Sequence, residues 1–580
     1  MYKDIKVLLL NKTHQLFILF ILILLIMIFE MIGLGLIPIY ALLITDTNAF
    51  VTKIPSFLDF DFLINIEKNK IIFFGSLILF LTYLVKNFFL GLLFYIEGKY
   101  IKIIREESLK KLYNFFINSN YTFYINSNPS EFSTLLRHDH GLAYRCLQSY
   151  LMLFKEIIIV LIIFVLLITV DFWIYFTTFS VFLLFSLIFN FIYKSVLVNK
   201  GKILQKAHNE NFKLVHQTFS SIKEVKIYQK ENFFSQIFFK NIELIEKLQF
   251  FTTLVSRFPR LFLEILAIFM VSAFSFLVIF FDTKENLIAL IALMAAACIR
   301  FIPAFSTITG SLNSIKLFTP SLKSIVKELK ASDLAKFYKK NSESFDYLEF
   351  KNQIQLKNLS FFYPNTEKNI LSDLDLTINK NDTIAITGDS GSGKTTLINI
   401  IIGFITPTKG AVKVDNKNIQ DNISGWQTNI SYVPQEVYLL DETLKTNIVF
   451  GTPEKQIDHV LLEKIIESTR LQDFVKSLPN GLDTNVGYFG SKISGGQKQR
   501  IGIARALYTK PKILVLDEAT NALDLDNENK ILDMLLSSNL IKTIIMVTHR
   551  RDNLYRFKKI YKFENKILVD VTNSYKLAKK

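Results

Sequence analysis

Where the apolar residues fall is what most constrains this chain. Up to about residue 310 they gather into six long runs, near 16–44, 71–96, 150–169, 172–193, 261–281 and 287–308; beyond about 350 no such run recurs. Roughly 20 apolar residues in a helix cross the ~30 Å hydrocarbon layer of a bilayer, and a helix satisfies its own backbone there. Each run therefore predicts a membrane-spanning helix. The first is too long for a cleavable leader and lacks a small-residue cleavage site. A chain that is 50% hydrophobic and only 20% charged is neither disordered nor an ordinary soluble protein. Its two cysteines, Cys146 and Cys298, make no disulfide framework and no CxxC metal site.

The net charge of +16 would suggest nucleic acid in a soluble protein, but here the cations sort by loop. The stretch between the fourth and fifth runs carries Lys194, Lys200, Lys202, Lys206, Lys213, Lys223, Lys226, Lys230, Lys240, Lys247 and Arg257. The loop after the first run carries Asp46, Asp59, Asp61 and Glu67. Lys/Arg excess marks the cytosolic side, so the N-terminus, both long loops and the C-terminal region are expected in the cytosol. The long loops are amphipathic and poor in Gly and Pro, which predicts helices that continue out of the membrane. The expected organisation is a membrane domain over 1–320, a polar linker over 321–349 and a soluble domain over 350–580. Within the last, strands at Thr383–Thr387, Ile430–Val433, 513–516 and Thr543–Val547 and a helix at 394–402 predict an α/β fold with a largely parallel core sheet.

Gly388-Asp389-Ser390-Gly391-Ser392-Gly393-Lys394-Thr395-Thr396 fits G-x-x-x-x-G-K-[ST], follows an apolar strand and opens a helix. Glycines let backbone N–H groups turn inward around phosphate oxygens, and the helix N-terminus adds its dipole. Lys394 supplies a point charge to the β/γ-phosphates, and the Thr395 hydroxyl suits Mg²⁺. Further on, Ile513-Leu-Val-Leu-Asp517-Glu518 is an apolar strand ending in two carboxylates. Asp517 suits a metal contact and Glu518 suits a base that orients the attacking water. Between them lies Ile493-Ser494-Gly495-Gly496-Gln497.

With that third motif the C-terminal region resembles an ATP-binding cassette, whose signature is LSGGQ; Ile493 for Leu is the departure. The resemblance implies ATP and Mg²⁺ as ligands and an ATP site shared head to tail by two cassettes. Ser494, Gly495, Gly496 and Gln497 would then act on the nucleotide of the other subunit, as would Asp524 of the D-loop Asn521-Ala-Leu-Asp524. Tyr363 matches the aromatic that stacks on adenine, Gln435 the glutamine that approaches Mg²⁺ beside Thr395 and Asp517, and His549 the switch histidine beside the catalytic Glu518. Tyr488 and Phe489 stand where exporters carry a charged pair. Six spans, two long loops and one C-terminal cassette resemble an ABC exporter half-transporter. That implies a homodimer, or a heterodimer with a second half-transporter, in a bacterial inner membrane, with lipids around it, an amphipathic substrate and no nucleic acid. A regulatory subunit with a dead cassette would have lost Lys394, Glu518 or His549, and all three are present. Short coupling helices are expected near 129–137 and 225–234. Ionisable residues inside spans are costly, and Glu30, Lys86, Glu264 and Arg300 lie there. Pro259-Arg260 and Arg300-Phe-Ile-Pro303 resemble segments of flippases for lipid-linked oligosaccharides, which makes Arg260 and Arg300 candidates for an anionic headgroup. Peptide, lipid and drug export are the alternatives.

Overall fold

The computed structural model describes residues 2–10, 12, 14–45, 68–125, 127–169, 172–280, 287–339, 347–363, 369–487, 490–537, 541–564 and 566–577. The acidic residues of the first loop, together with Tyr488 and Phe489, lie outside the described residues. The chain divides into two compact units, Met1–Ser119 with Asn126–Tyr338, and Asn120–Ile125 with Lys339–Lys580.

The first unit is helical. A short N-terminal helix, Tyr2–Leu8, precedes long helices at His14–Thr45, Lys68–Ile117, His140–Ile168, Phe172–Ser220, Glu231–Phe280 and Leu287–Lys339. Among the described residues, five helices are long and apolar enough to cross a membrane, which makes this a multi-pass membrane protein. The sixth expected run opens the Leu287–Lys339 helix. The long loops are the outward continuations of these helices, so Lys68–Ile117 and Phe172–Ser220 each run unbroken far past their apolar stretch. Their outward faces keep many large apolar side chains exposed, among them Phe88, Phe191, Ile268 and Phe269. In water such a surface would be untenable; against lipid tails it costs nothing.

The stretch expected as a polar linker is helical through Lys339, where Leu322, Ile325, Val326 and Leu329 recur at helical spacing and are buried. One expectation needs correcting. The short helix that packs with cassette residues is Tyr121–Ile125, earlier than 129–137. The ring of Tyr121 stacks on Phe404 with centroids 4.8 Å apart. Pro129–Thr134 is instead a separate helix of the first unit, capped by the Asn128 side chain and continued by a π-helical turn, Leu135–Asp139. The second expected turn is the helix Ile222–Ile227, closed by Gln229 in the left-handed region.

The second unit has two sheets. Strands β1 (Gln353–Phe361), β2 (Leu371–Asn379), β4 (Lys409–Val414) and β5 (Lys417–Asn418) form an antiparallel sheet in the order β2-β1-β4-β5. Strands β3 (Thr383–Thr387), β6 (Ile430–Val433), β7 (Ile513–Asp517), β8 (Thr543–Val547), β9 (Lys559–Glu564) and β10 (Ile567–Asp570) form the other, in the order β10-β9-β3-β8-β7-β6. All its pairings are parallel except β9 with β10. β7 and β8 are buried at every position, as central strands covered on both faces must be. One core packs between the sheets around Trp426, whose Nε1 donates to the Ile401 carbonyl at 2.8 Å and whose ring meets Phe350 edge-on. Trp426→Ala should cost about 3–5 kcal/mol. It should lower the unfolding temperature of the cassette by several degrees in calorimetry of the solubilised chain.

Candidate functional site

The site forms where β3, β7 and β8 end, the usual crevice of a parallel sheet. The loop after β3 is shaped by glycines. Gly388 has φ +151 and a side chain there would press on Phe563 Cβ at 2.9 Å; Gly393 has φ +106 and would press on Leu371. Only glycine accepts these backbones without strain. The Lys394 side chain folds back, donating to the Gly388 carbonyl at 3.0 Å and the Asp389 carbonyl at 2.8 Å. Burial lowers its pKa, against the opposing pull of Glu518, Asp517 and Asp389. Ser392 Oγ is buried without a hydrogen-bond partner. A cradle of turned-in amides with one cation and one unsatisfied hydroxyl fits a phosphate chain. Asp389, Ser390 and Gly391 complete the loop, and Thr396 lies 3.3 Å from the Tyr363 hydroxyl.

Asp517 and Glu518 are differently dressed. Asp517, buried at the end of β7, accepts from Thr395 Oγ1 at 3.5 Å and from the Tyr432 hydroxyl at 3.3 Å. Burial raises its pKa, partly offset by those two hydrogen bonds. Burial also raises that of the Tyr432 phenol. A buried carboxylate beside a threonine hydroxyl, with only hydroxyl partners, is a donor set suited to a hard cation such as Mg²⁺. Glu518 sits at φ +50, a strained conformation for a residue with a side chain, of the sort found at functional sites. Three groups converge on its carboxylate: His549 Nε2 at 2.6 Å from Oε1, and the side-chain amides of Gln435 at 2.8 Å and Asn521 at 2.9 Å from Oε2. Gln435, expected toward Mg²⁺, thus gives its amide nitrogen to Glu518.

The signature residues make a second surface. Ser494 caps the Gly495–Tyr508 helix in a capping box with Gln497, leaving the N–H groups of Gly495 and Gly496 in its open first turn. Gln499 Oε1 accepts from the Ala522 N–H at 2.9 Å, tying this helix to the D-loop. Asp524 accepts from the Asn527 side chain at 2.6 Å where the Leu525–Ser537 helix begins. Sequence reasoning missed three residues of the site. Tyr432 immediately precedes Val433-Pro-Gln435, and Asn521 opens the D-loop motif with no partnership to Glu518 expected of it. Arg550, directly after His549, pairs with the buried Glu528 and donates to the D-loop carbonyls of Asn521 at 2.9 Å and Leu523 at 3.1 Å. All three are adjacent to motifs the sequence already marks.

In the first unit, Arg300 is engaged by carboxylates: Nε lies 2.7 Å from Glu30 and Nη2 lies 3.8 Å from Glu156. Lys86 also reaches Glu30, at 3.1 Å, and Arg260 pairs with Glu264 one turn along its own helix at 2.9 Å. Both candidate arginines are therefore already met by acids of this chain.

Comparison with known proteins agrees with this architecture. The ABC transporter family profile matches residues 371–521. Two Staphylococcus aureus proteins, from strains NCTC 8325 and bovine RF122, are each described as a candidate multidrug export ATP-binding/permease protein. They are 39% identical over 236 and 233 residues, and the match spans 40% of this chain and 40% of each relative's length. A solved bacterial Atm1-family ABC exporter with ATP bound superposes with a TM-score of 0.77 over 98% of this chain and 97% of its own, at 16% identity. The fold is that of an ABC exporter, a helical membrane region followed by a P-loop ATP-binding cassette.

Proposed function

We propose that this chain is one half of an ATP-driven exporter that hydrolyses ATP at two composite sites and moves an amphipathic small molecule across the membrane. The observation that carries this is Glu518, strained, positioned by three donors, and placed beside the Lys394 loop and the Asp517–Thr395 pair. ATP would lie in the 388–396 loop with its phosphates on the turned-in amides and Lys394. Thr395 and Asp517 would hold Mg²⁺, with Gln435 close by; the ion supplies charge neutralisation on the phosphates. Tyr363 would flank the adenine. Glu518 orients a water and draws on its proton as the water oxygen bonds to the γ-phosphorus and the bond to the ADP oxygen breaks. His549 and Asn521 hold the carboxylate for that step. Ser494, Gly495, Gly496, Gln497 and Asp524 would complete the site of the partner subunit. The membrane domain would occupy 1–320 and the cassette 350–580, in a bacterial inner membrane with the cassette cytosolic.

For the substrate, small amphipathic compounds are favoured over a pyrophosphate-linked glycan. Arg300 and Arg260 are held by Glu30 and Glu264, and a guanidinium so paired gains little from an anionic ligand. The relatives described as multidrug exporters point the same way. ATP-driven uptake of an amphipathic dye into inverted vesicles tests the reading; its absence with active ATPase would refute it. EDTA, or Asp517→Asn, should stop turnover of ATP by the purified chain, and Mg²⁺ should restore only the first.

A further inference from the structure

Both oxygens of Asp517 are met by hydroxyls. Thr395 Oγ1 donates to Oδ1 at 3.5 Å and the Tyr432 hydroxyl donates to Oδ2 at 3.3 Å; among the described residues no other group hydrogen-bonds this carboxylate. Both contacts exceed the ~2.7–2.8 Å usual for O–H···O, so the carboxylate is steered rather than clamped. Once the Thr395 hydroxyl turns to a hard cation, Tyr432 is the donor that stays on Asp517. Strand geometry explains how it reaches. β6 and β7 run parallel with Tyr432 in register with Val515. Residues two apart share a face of a strand, so the phenol and the Asp517 carboxylate lie on one side of the sheet. Side chains in strands lean along the chain direction, and this one covers the two residues from Val515 to Asp517, about 6.6 Å. A serine or threonine at 432 would fall short.

The ring that carries this hydroxyl is placed by two further aromatics. Phe404 meets the Tyr432 ring edge-on, with centroids 6.3 Å apart and planes at 89°. Phe404 in turn stacks on Tyr121, at 4.8 Å and 27°. Both geometries are those that aromatic pairs favour. Phe404 follows Gly403, whose φ of +80 turns the chain out of the helix that Lys394 opens, and its N–H returns to the Asn399 carbonyl at 2.8 Å. The middle ring is thus fixed to the element that bears Lys394 and Thr395. The outer ring belongs to the helix Tyr121–Ile125, which falls in the same compact unit as the cassette. Three residues, 118–120, join that helix to the end of the long Lys68–Ile117 helix. With the hydrogen bond to Asp517 slack by about half an ångström, the ring contacts decide where the phenol sits.

We propose that Tyr432 is a positioning residue for the metal carboxylate: its hydroxyl orients Asp517, and the Phe404–Tyr121 stack sets where that hydroxyl sits. This rests on the reading of Asp517 and Thr395 as the Mg²⁺ pair and ties the Tyr121 helix to it. The test uses the full chain in nanodiscs and the non-hydrolysable fluorescent analogue MANT-AMPPNP, its affinity measured in EDTA and across a Mg²⁺ titration. Tyr432→Phe keeps the ring and removes the hydroxyl. Its Mg²⁺ midpoint should rise about 10–100-fold, the usual loss when an outer partner of a metal ligand is removed, while affinity in EDTA stays at the parent value. ATPase should show the same split, a raised Mg²⁺ requirement with most of the maximal rate recovered at saturating Mg²⁺. Tyr121→Ala should move the midpoint in the same direction, and Tyr121→Phe, which keeps the stack, should not. Adding Tyr121→Ala to Tyr432→Phe should change nothing more, because both act through one hydroxyl. Additive shifts would overturn the link to Tyr121. An affinity loss in EDTA as large as in Mg²⁺ would mean a generally disturbed nucleotide site and overturn the positioning role. So would an unchanged midpoint in Tyr432→Phe beside a raised one in Asp517→Asn, with the exporter reading left intact. Were Asp517→Asn to keep the parent midpoint, the Mg²⁺ assignment would fall and the role of Tyr432 with it.

Discussion

Glu518→Gln protein is expected to bind ATP normally and to turn it over about 10²–10⁴-fold more slowly than the parent chain, the usual loss for a positioned general base. Gln keeps the length and can still hydrogen-bond His549, Gln435 and Asn521, so the loop at the end of β7 should hold its shape. What disappears is the negative charge that draws on the attacking water. The environment of Glu518 argues that the charge is the purpose of the arrangement. Three side-chain nitrogens point at one carboxylate, and the residue is held at φ +50 although a relaxed backbone would be less costly. Purified Glu518→Gln protein hydrolysing ATP at the parent rate would remove Glu518 from the mechanism. Loss of nucleotide binding along with turnover would mean that the substitution disturbed the phosphate loop instead. Equilibrium binding of a fluorescent ATP analogue, measured beside phosphate release, separates these outcomes.

The second large effect concerns the composite site. Lys394→Ala removes the phosphate-binding cation, and Ser494→Arg both destroys the capping box and places bulk over the open turn at Gly495 and Gly496. Each variant alone should have almost no ATPase activity, because a dimer of either carries two damaged sites. A mixed dimer joining one Lys394→Ala chain to one Ser494→Arg chain is different. If Ser494 serves the partner's nucleotide, one site takes both lesions and the other takes neither. Mixing should therefore restore one competent site per dimer. Tandem purification on two tags isolates the mixed species, and trapped nucleotide per dimer counts its sites. A mixed dimer as inactive as its parents would contradict head-to-tail sharing.

Much of this was legible in the chain because the relevant physics is local. Phosphate cradling needs glycines, a lysine and a hydroxyl at fixed spacing in one loop, so 388–396 could be read directly. The strands at Thr383–Thr387, Ile430–Val433 and Thr543–Val547 were likewise read from short β-branched runs. The antiparallel sheet β2-β1-β4-β5 was not. Its strands alternate buried and exposed positions imperfectly, interrupted by register shifts near Leu359, and the β1–β4 pairing joins segments about 50–60 residues apart. That the stretch after Leu317 continues the Leu287–Lys339 helix was not read, because its lysines and serines draw attention from the apolar positions Leu322, Ile325, Val326 and Leu329, which the structure buries. The partners of Glu518 fall between these cases. Gln435 and His549 were given roles and Asn521 only its place in the D-loop; their convergence on one carboxylate depends on the order β3-β8-β7-β6, which no single segment encodes.

By itself, then, the amino-acid order determined that there would be apolar helices long enough for a bilayer, a phosphate loop, a strand carrying two acids and a capped glycine turn. Each of these is a property of fewer than about 30 consecutive residues, within which backbone geometry and side-chain chemistry are already coupled. Tertiary structure alone decided which charges neutralise one another. Arg300 could have faced an anionic ligand, and its sequence neighbours would have looked the same. It meets Glu30 and Glu156 because helices distant in sequence bring those carboxylates within 2.7 and 3.8 Å. The same packing leaves Glu97 Oε1 without a hydrogen-bond donor. Electrostatic energy depends on separation in space and on the dielectric around the pair, and neither quantity is written along the chain.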